Sequence, residues 1–126
     1  MLRRDERGSA VVDFVLVMII LVPLFLGILQ VALVLHVRNT LTAAASDGAR
    51  YGATRGHSPS DAIDHTRQQI AGALSGRFTQ QLSADVEDVA GTPMVVVRAE
   101  ADVPALGLWG PAVHLEVAGH AVQEPQ

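Results

Sequence analysis

The sequence predicts an α+β protein that one long N-terminal helix anchors in a membrane. The signals are a continuous apolar segment at 14–35, helical periodicity after position 58, and alternation of apolar and polar residues from position 82. They predict a transmembrane helix that continues as a stalk, a second short helix and a small antiparallel β-sheet. The predicted divisions are a cytoplasmic leader at 1–8, the transmembrane helix at 9–38, its extension at 39–56, and an extracytoplasmic α+β domain at 57–126.

Composition excludes several classes of function. The 126 residues carry a formal net charge of −4, whereas a nucleic-acid-binding protein needs a basic surface. Without cysteine, the chain has no disulfide and no thiolate metal or redox site. No nucleophile elbow or phosphate-binding loop is present. We therefore predict no enzyme activity, no cofactor, no small-molecule substrate and no nucleic-acid partner.

The apolar segment runs from Phe14 to Leu35, and its one strongly polar residue is Gln30. At about 1.5 Å per residue it spans roughly 33 Å, enough for a bilayer core of about 30 Å. Pro23 and Gly27 inside it are tolerated in membrane helices. A buried core helix would need a larger partner core than this chain offers. A cleaved secretory signal would have a shorter run and a small-residue exit, whereas His36 and Arg38 follow here.

Arginine placement predicts the orientation of this helix. Arg3, Arg4 and Arg7 precede the apolar segment, and Arg38 alone follows it closely. Because basic residues remain on the cytoplasmic side, the N-terminus is expected in the cytoplasm and the C-terminal domain outside.

Asp13 is a carboxylate at the mouth of the apolar segment, where an unpaired charge is costly. One interpretation is a boundary residue whose side chain reaches the lipid headgroups. The other begins with Gly8, five residues earlier. Cleavage between Gly8 and Ser9 would create an ammonium group at Ser9, and Asp13 would lie one helical turn away on the same face. It could neutralise that terminus in its own chain or in a neighbouring helix.

Several segments in this order resemble the TadE/TadF-like pseudopilins of the tight-adherence branch of type IV pilus systems. The segments are Gly8-Ser-Ala-Val-Val-Asp13-Phe14, then Pro23 and Gln30, then Leu41-Thr-Ala-Ala-Ala-Ser-Asp-Gly-Ala-Arg50-Tyr51. The resemblance covers residues 7–51, about a third of the chain. Asp13 departs from the family's usual glutamate, which keeps the charge and shortens the reach by one methylene.

The resemblance implies a pilin-like fold and a structural or assembly role in a Tad-type pilus or an associated secretion machine. It implies that a prepilin peptidase cuts between Gly8 and Ser9, and that Asp13 and Phe14 serve N-terminus neutralisation and assembly. The implied partners are the lipid bilayer, the peptidase, other pilin or pseudopilin subunits, and Tad assembly-platform proteins. The implied location is the inner or plasma membrane, or a pilus outside the cell. The alternative is an uncleaved single-pass anchor whose outer domain binds a partner as a sensor or scaffold.

Beyond the membrane, small residues recur at helical spacing at Ala44, Gly48 and Gly52. Such a face permits close helix packing. Glycine also weakens a helix outside a membrane, so termination of the helix within 48–56 is the other interpretation.

The remaining elements follow from capping and alternation. Ser58-Pro-Ser-Asp61 predicts a helix start, and a helical face is predicted to continue to about Gly76. Gly91-Thr-Pro93 and the segment 107–111 are predicted turns. The predicted helical face comprises Ile63, Ile70, Leu74 and Phe78. The apolar residues of the three alternating runs, which predict strands, are Leu82, Ala84 and Val86 in the first; Val95, Val97, Ala99, Ala101 and Val103 in the second; and Val113, Leu115 and Val117 in the third.

Three further groups of residues are candidate sites. His57, Asp61, Asp64 and His65 could in principle bind a metal, but their spacing matches no ligand signature, and a solvated acidic helix start is the favoured interpretation, so no metal site is predicted. His114 and His120 are expected on the polar face of a strand. The loop 106–110 carries Trp109, which either packs on the small core or contacts another subunit or the membrane interface.

Overall fold

A computed structural model describes residues 2–74, 79–105 and 112–125. It contains two helices and one three-stranded sheet, which confirms the predicted fold class. The elements are α1 (Leu2–Ala53), α2 (Pro59–Ala73), β1 (Thr79–Val89), β2 (Thr92–Val103) and β3 (Val113–Val122). The chain divides into two compact units, Met1–Ala32 and Leu33–Gln126. Predicted Gly76, Phe78 and the loop at 106–111 with Trp109 lie outside the described residues.

The first unit contains only the beginning of α1, with Pro23 inside the helix. Its large apolar side chains are exposed, as Ile20 at 72% and Phe14 at 61% illustrate. A helix that is apolar all round and buried against nothing in its own chain is suited to lipid.

In the second unit, α1 continues through Gly48 and Gly52 to Ala53. The helix therefore ends within the range 48–56, as one interpretation predicted, but only after both glycines. The C-terminal tail closes its end, because Glu124 N–H donates to Ala53 O at 2.8 Å. The Glu124 carboxylate also accepts the Arg55 N–H at 3.1 Å. These bonds satisfy a helix terminus that would otherwise lack partners.

A capping box begins α2, as predicted. Ser58 Oγ accepts the Asp61 N–H, and the Asp61 carboxylate accepts the Ser58 N–H at 2.8 Å. Pro59 follows at the first helical position, where its missing N–H costs nothing. Of the predicted face, Ile70 is buried, Leu74 packs against the core and Ile63 is half-buried. Ala62 and Thr66, which were not predicted, complete the buried face. The helix also ends at Ala73, before the predicted limit.

The sheet is antiparallel in the order β1-β2-β3. A two-residue turn, Ala90-Gly91, joins β1 and β2, and both residues have positive φ. This is the twist that a tight hairpin requires. The turn therefore lies earlier than the predicted Gly91-Thr-Pro93. Only Gly91 belongs to it, because Thr92 and Pro93 are part of β2 and pair with β1.

The core lies between one face of the sheet and the helices of the second unit. Every predicted inward residue of β2 is buried, while Val86 of β1 is 45% exposed near the end of its strand. The core is built largely from alanine and valine. It comprises Val37, Leu41, Ala44, Ala45, Ala49, Ala53, Ala62, Ile70, Val95, Val97, Ala99, Ala101, Val103, Leu115 and Val117.

Candidate functional site

Gly8, Ser9, Asp13 and Phe14 lie near the start of α1, and all four are exposed. The helix continues through the Gly8–Ser9 bond, and a β-carbon on Gly8 would meet nothing within 4 Å. Ser9 and Asp13 are four residues apart, so they share one face of the helix. No other part of the described chain covers this segment.

The surface that follows is apolar and uncovered. Within Glu6–Ala53, an 18-residue window has a mean hydropathy of 2.9, and none of it is buried in the chain. A soluble protein would hide such a surface in its core. The helix fits a single-pass membrane anchor.

The predicted packing residues Ala44, Gly48 and Gly52 are buried within their own chain. A β-carbon on Gly48 would collide with Thr66 Oγ1 and lie 2.9 Å from Ala62 O. One on Gly52 would lie 2.5 Å from Ala62 Cβ. The two glycines therefore let α1 approach α2 closely. A role for this face in contacts between subunits stays a prediction.

The four residues weighed as metal ligands have partners within the fold. The His65 Nε2–Asp47 Oδ2 distance is 2.7 Å, and the His57 Nδ1–Asp61 Oδ2 distance is 3.9 Å. The Tyr51 ring stacks on His65, with a centroid separation of 4.4 Å, and also contacts His57.

Asp61 also caps α2, and hydrogen bonds from Ser58 lower the pKa of its carboxyl group. Asp64 lies 3.6 Å from Arg67 Nη1. Within the described ranges, no group of three or more His, Asp or Glu side chains could hold a metal ion.

The outer face of the sheet is acidic. Alternation along the three paired strands places five carboxylates on it: Asp85, Glu87, Glu100, Asp102 and Glu116. His114 and His120 are exposed on the same face, as expected. His114 Nδ1 lies 2.8 Å from Asp102 Oδ1, and this hydrogen bond raises the pKa of the imidazole. Glu100 and Glu116 raise it further through their charge.

Val96 also lies on this face, and it is fully buried although its position was predicted among polar residues. Arg98 Nη2 and Glu87 Oε1 are 2.6 Å apart. The two side chains come from the cross-strand rows on either side of Val96.

Residues 8–50 match the family model for TadE-like protein. The match begins at Gly8 and ends at Arg50, and it confirms the resemblance that the sequence suggested. TadE-like proteins are a structural, pilus-associated family. No curated protein and no solved structure matches the chain.

Proposed function

We propose that this chain is a pseudopilin-like structural or assembly component, because its N-terminal segment matches a family that is associated with the Tad pilus. It serves a Tad-type pilus or an associated secretion machine. A prepilin peptidase removes residues 1–8, and the product is held in the membrane by α1 with its second unit outside. The observation that carries the proposal is an exposed Gly8–Ser9 bond, followed by Asp13 and Phe14, at the head of an uncovered apolar helix.

Gly8 suits the proposed cut for two reasons. It has no side chain to crowd a peptidase, and the space around it is open. Glycine also weakens a helix by about 1 kcal/mol relative to alanine. Because a peptidase must extend the bond that it cuts, a glycine near the start of α1 lowers the cost of opening the helix there.

Asp13 supplies the charge that the new N-terminus needs. After cleavage, the Ser9 ammonium and the Asp13 carboxylate would both lie at the edge of a low-dielectric phase, where an unpaired charge is costly. Pairing them, within one chain or between neighbours, offsets much of that cost. A carboxylate near the N-terminus of a helix also interacts favourably with the helix dipole.

Intact-mass analysis of the membrane-purified protein tests the processing step. Cleavage after Gly8 leaves 118 residues with a formal net charge of −5. We expect Gly8→Leu to retain the full-length mass, because leucine crowds the cut site, and Gly72→Leu in α2 to leave processing unchanged. A wild-type chain that keeps residues 1–8 would support the uncleaved anchor instead.

The role of Asp13 is tested separately. Asp13→Ala should be cleaved like the wild type, since the cut site is unchanged, and should fail to enter membrane assemblies. Asp13→Glu should assemble, because it preserves the charge and restores the family's usual residue. Crosslinking of membrane-embedded protein, read as the fraction in oligomers, measures both variants. Normal assembly of Asp13→Ala would reduce Asp13 to a boundary residue.

A further inference from the structure

Three carboxylates on the outer face of the sheet have no ion-pair partner among the described residues. They are Asp85, Glu100 and Glu116, whereas Glu87 pairs with Arg98 and Asp102 with His114. Glu100 and Glu116 face each other directly across β2 and β3. Like charges in that arrangement destabilise a sheet. This face therefore gains most from a cationic surface placed over it.

A cationic surface lies in the helical layer of the same unit, where α1 borders β3 at Ser46. Arg38, Thr42, Ser46 and Arg50 are spaced four residues apart and form one ridge of α1, which we call the arginine ridge. Both arginines are exposed, and neither forms an ion pair with any residue that the structure describes. The other arginines of this unit within the described ranges, Arg55, Arg67 and Arg98, have polar partners.

We propose that the acidic outer face of the sheet in one copy of this chain docks on the arginine ridge of a second copy. The proposal rests on the proposed function, which makes the chain a subunit of an assembly. The two surfaces belong to different layers of the unit. Their contact is therefore heterologous, and each copy keeps a free face for the next.

The spacing of the charges supports a second copy as the occupant. The two arginines are twelve residues apart on a helix, or about 18 Å. On the sheet, the row containing Asp85 lies four residues from the Glu100–Glu116 row, or about 13 Å, and the long arginine side chains can close the difference. Thr42 and Ser46 lie between the arginines. The row between the acidic rows holds Ser83, Arg98 and Ala118, and Arg98 is already paired with Glu87. Apart from that paired arginine, the side chains at the centres of both surfaces are small.

Crosslinking of the full-length protein in membranes tests this contact. The chain has no native cysteine, so Thr42→Cys and Ala118→Cys introduce the only thiols, one at the centre of each surface. With both in one chain, a short bismaleimide should give a ladder of dimers, trimers and larger products. A contact with two-fold symmetry would stop at dimers and would overturn the proposal.

Charge reversal in this double-cysteine chain tests the chemistry. Arg38→Glu with Arg50→Glu, or Glu100→Arg with Glu116→Arg, should each lower crosslinking about fivefold, as expected for two exposed ion pairs. Combining all four changes should restore it. Arg67→Glu on α2 is the matched control and should leave the yield unchanged.

Two other outcomes would overturn the inference. If arginine reversal alone lowers the yield and the four-fold combination does not restore it, the ridge contacts lipid headgroups. If no reversal changes the yield, the faces do not dock. Intact mass of the same samples keeps the two proposals apart. If the chain is cleaved after Gly8 and its crosslinking yield does not respond to charge reversal, only the docking is contradicted. If the chain is not cleaved and the four-fold combination restores the crosslinking yield, only the proposed function is contradicted.

Discussion

Carboxylates in this chain act differently because their immediate neighbours differ. Asp61 accepts hydrogen bonds at the start of α2, which stabilise its charged form. Asp102 hydrogen-bonds an exposed imidazole and stabilises the charged form of His114. Asp13 lies on an exposed helix surface at the head of an apolar segment, where its charge is proposed to meet a new N-terminus. The residue type is constant, and the position on the fold decides its chemistry.

The His114–Asp102 pair makes a pH-dependent prediction. The folded protein holds the imidazole proton more tightly than the unfolded chain does, because the pKa of His114 is raised from 6.5. The stabilisation is therefore complete below about pH 6.5 and is lost as the pH rises through the folded-state pKa. Asp102→Asn should lower the pKa of His114, measured by NMR titration of its ring. Asp64→Asn on α2 should not, and an unchanged pKa in Asp102→Asn would refute the pairing.

At the scale of elements, the small-residue run of α1 meets a second small-residue run on α2. Gly48 faces Thr66, and Gly52 faces Ala62, so two i,i+4 pairs interlock where the helices cross. The sheet also packs closely against α1 through a glycine. A β-carbon on Gly119 of β3 would collide with the α1 backbone at Ala45 and Ser46. Close approach of backbones, rather than large side chains, builds this core.

This geometry predicts opposite effects for two glycine substitutions. Gly48→Ala should lower the free energy of unfolding by about 1 to 3 kcal/mol, because its β-carbon overpacks the crossing. Gly72→Ala should raise it by about 0.5 to 1 kcal/mol, because Gly72 lies in α2 with no atom near its β-carbon position. Hydrogen exchange of the α2 amides measures both. Equal protection in the two variants would mean that the crossing can relax around the added methyl group.

The chain consists of an apolar helical unit whose surface is exposed and a small second unit that contains the hydrophobic core. That unit begins at Leu33, and Val37 is fully buried inside it. A fragment that started at residue 39 would therefore lack a core residue, and we expect it to be less stable than one that starts at 33. The C-terminal tail adds to the unit, because Glu124 and Pro125 hydrogen-bond Ala53 and Arg55.

Topology is the prediction that belongs to this scale. The three arginines before the apolar segment should hold the N-terminus in the cytoplasm and place the C-terminus outside. A reporter enzyme that works only outside the cytoplasm should be active when it is joined after Gln126. A flexible linker between the two preserves the contacts of the C-terminal tail. The same reporter before Met1 is the control. A C-terminal fusion that is active only with a cytoplasmic reporter would contradict the predicted orientation.

Local patterns in the sequence were enough to determine the apolar helix, the capping box at Ser58 and the alternation of β2, whereas the roles of Gly8, Ser9, Asp13 and Phe14 stay a prediction. Each depends on neighbours within a few positions, so periodicity and capping chemistry report it directly. The tertiary structure alone decided which surface each small residue touches. Gly48 meets Thr66, Gly119 meets Ala45, and Arg98 pairs with Glu87 from the rows that flank Val96. These contacts join distant segments, and their partners are set by how the helices and strands pack, which no local pattern encodes.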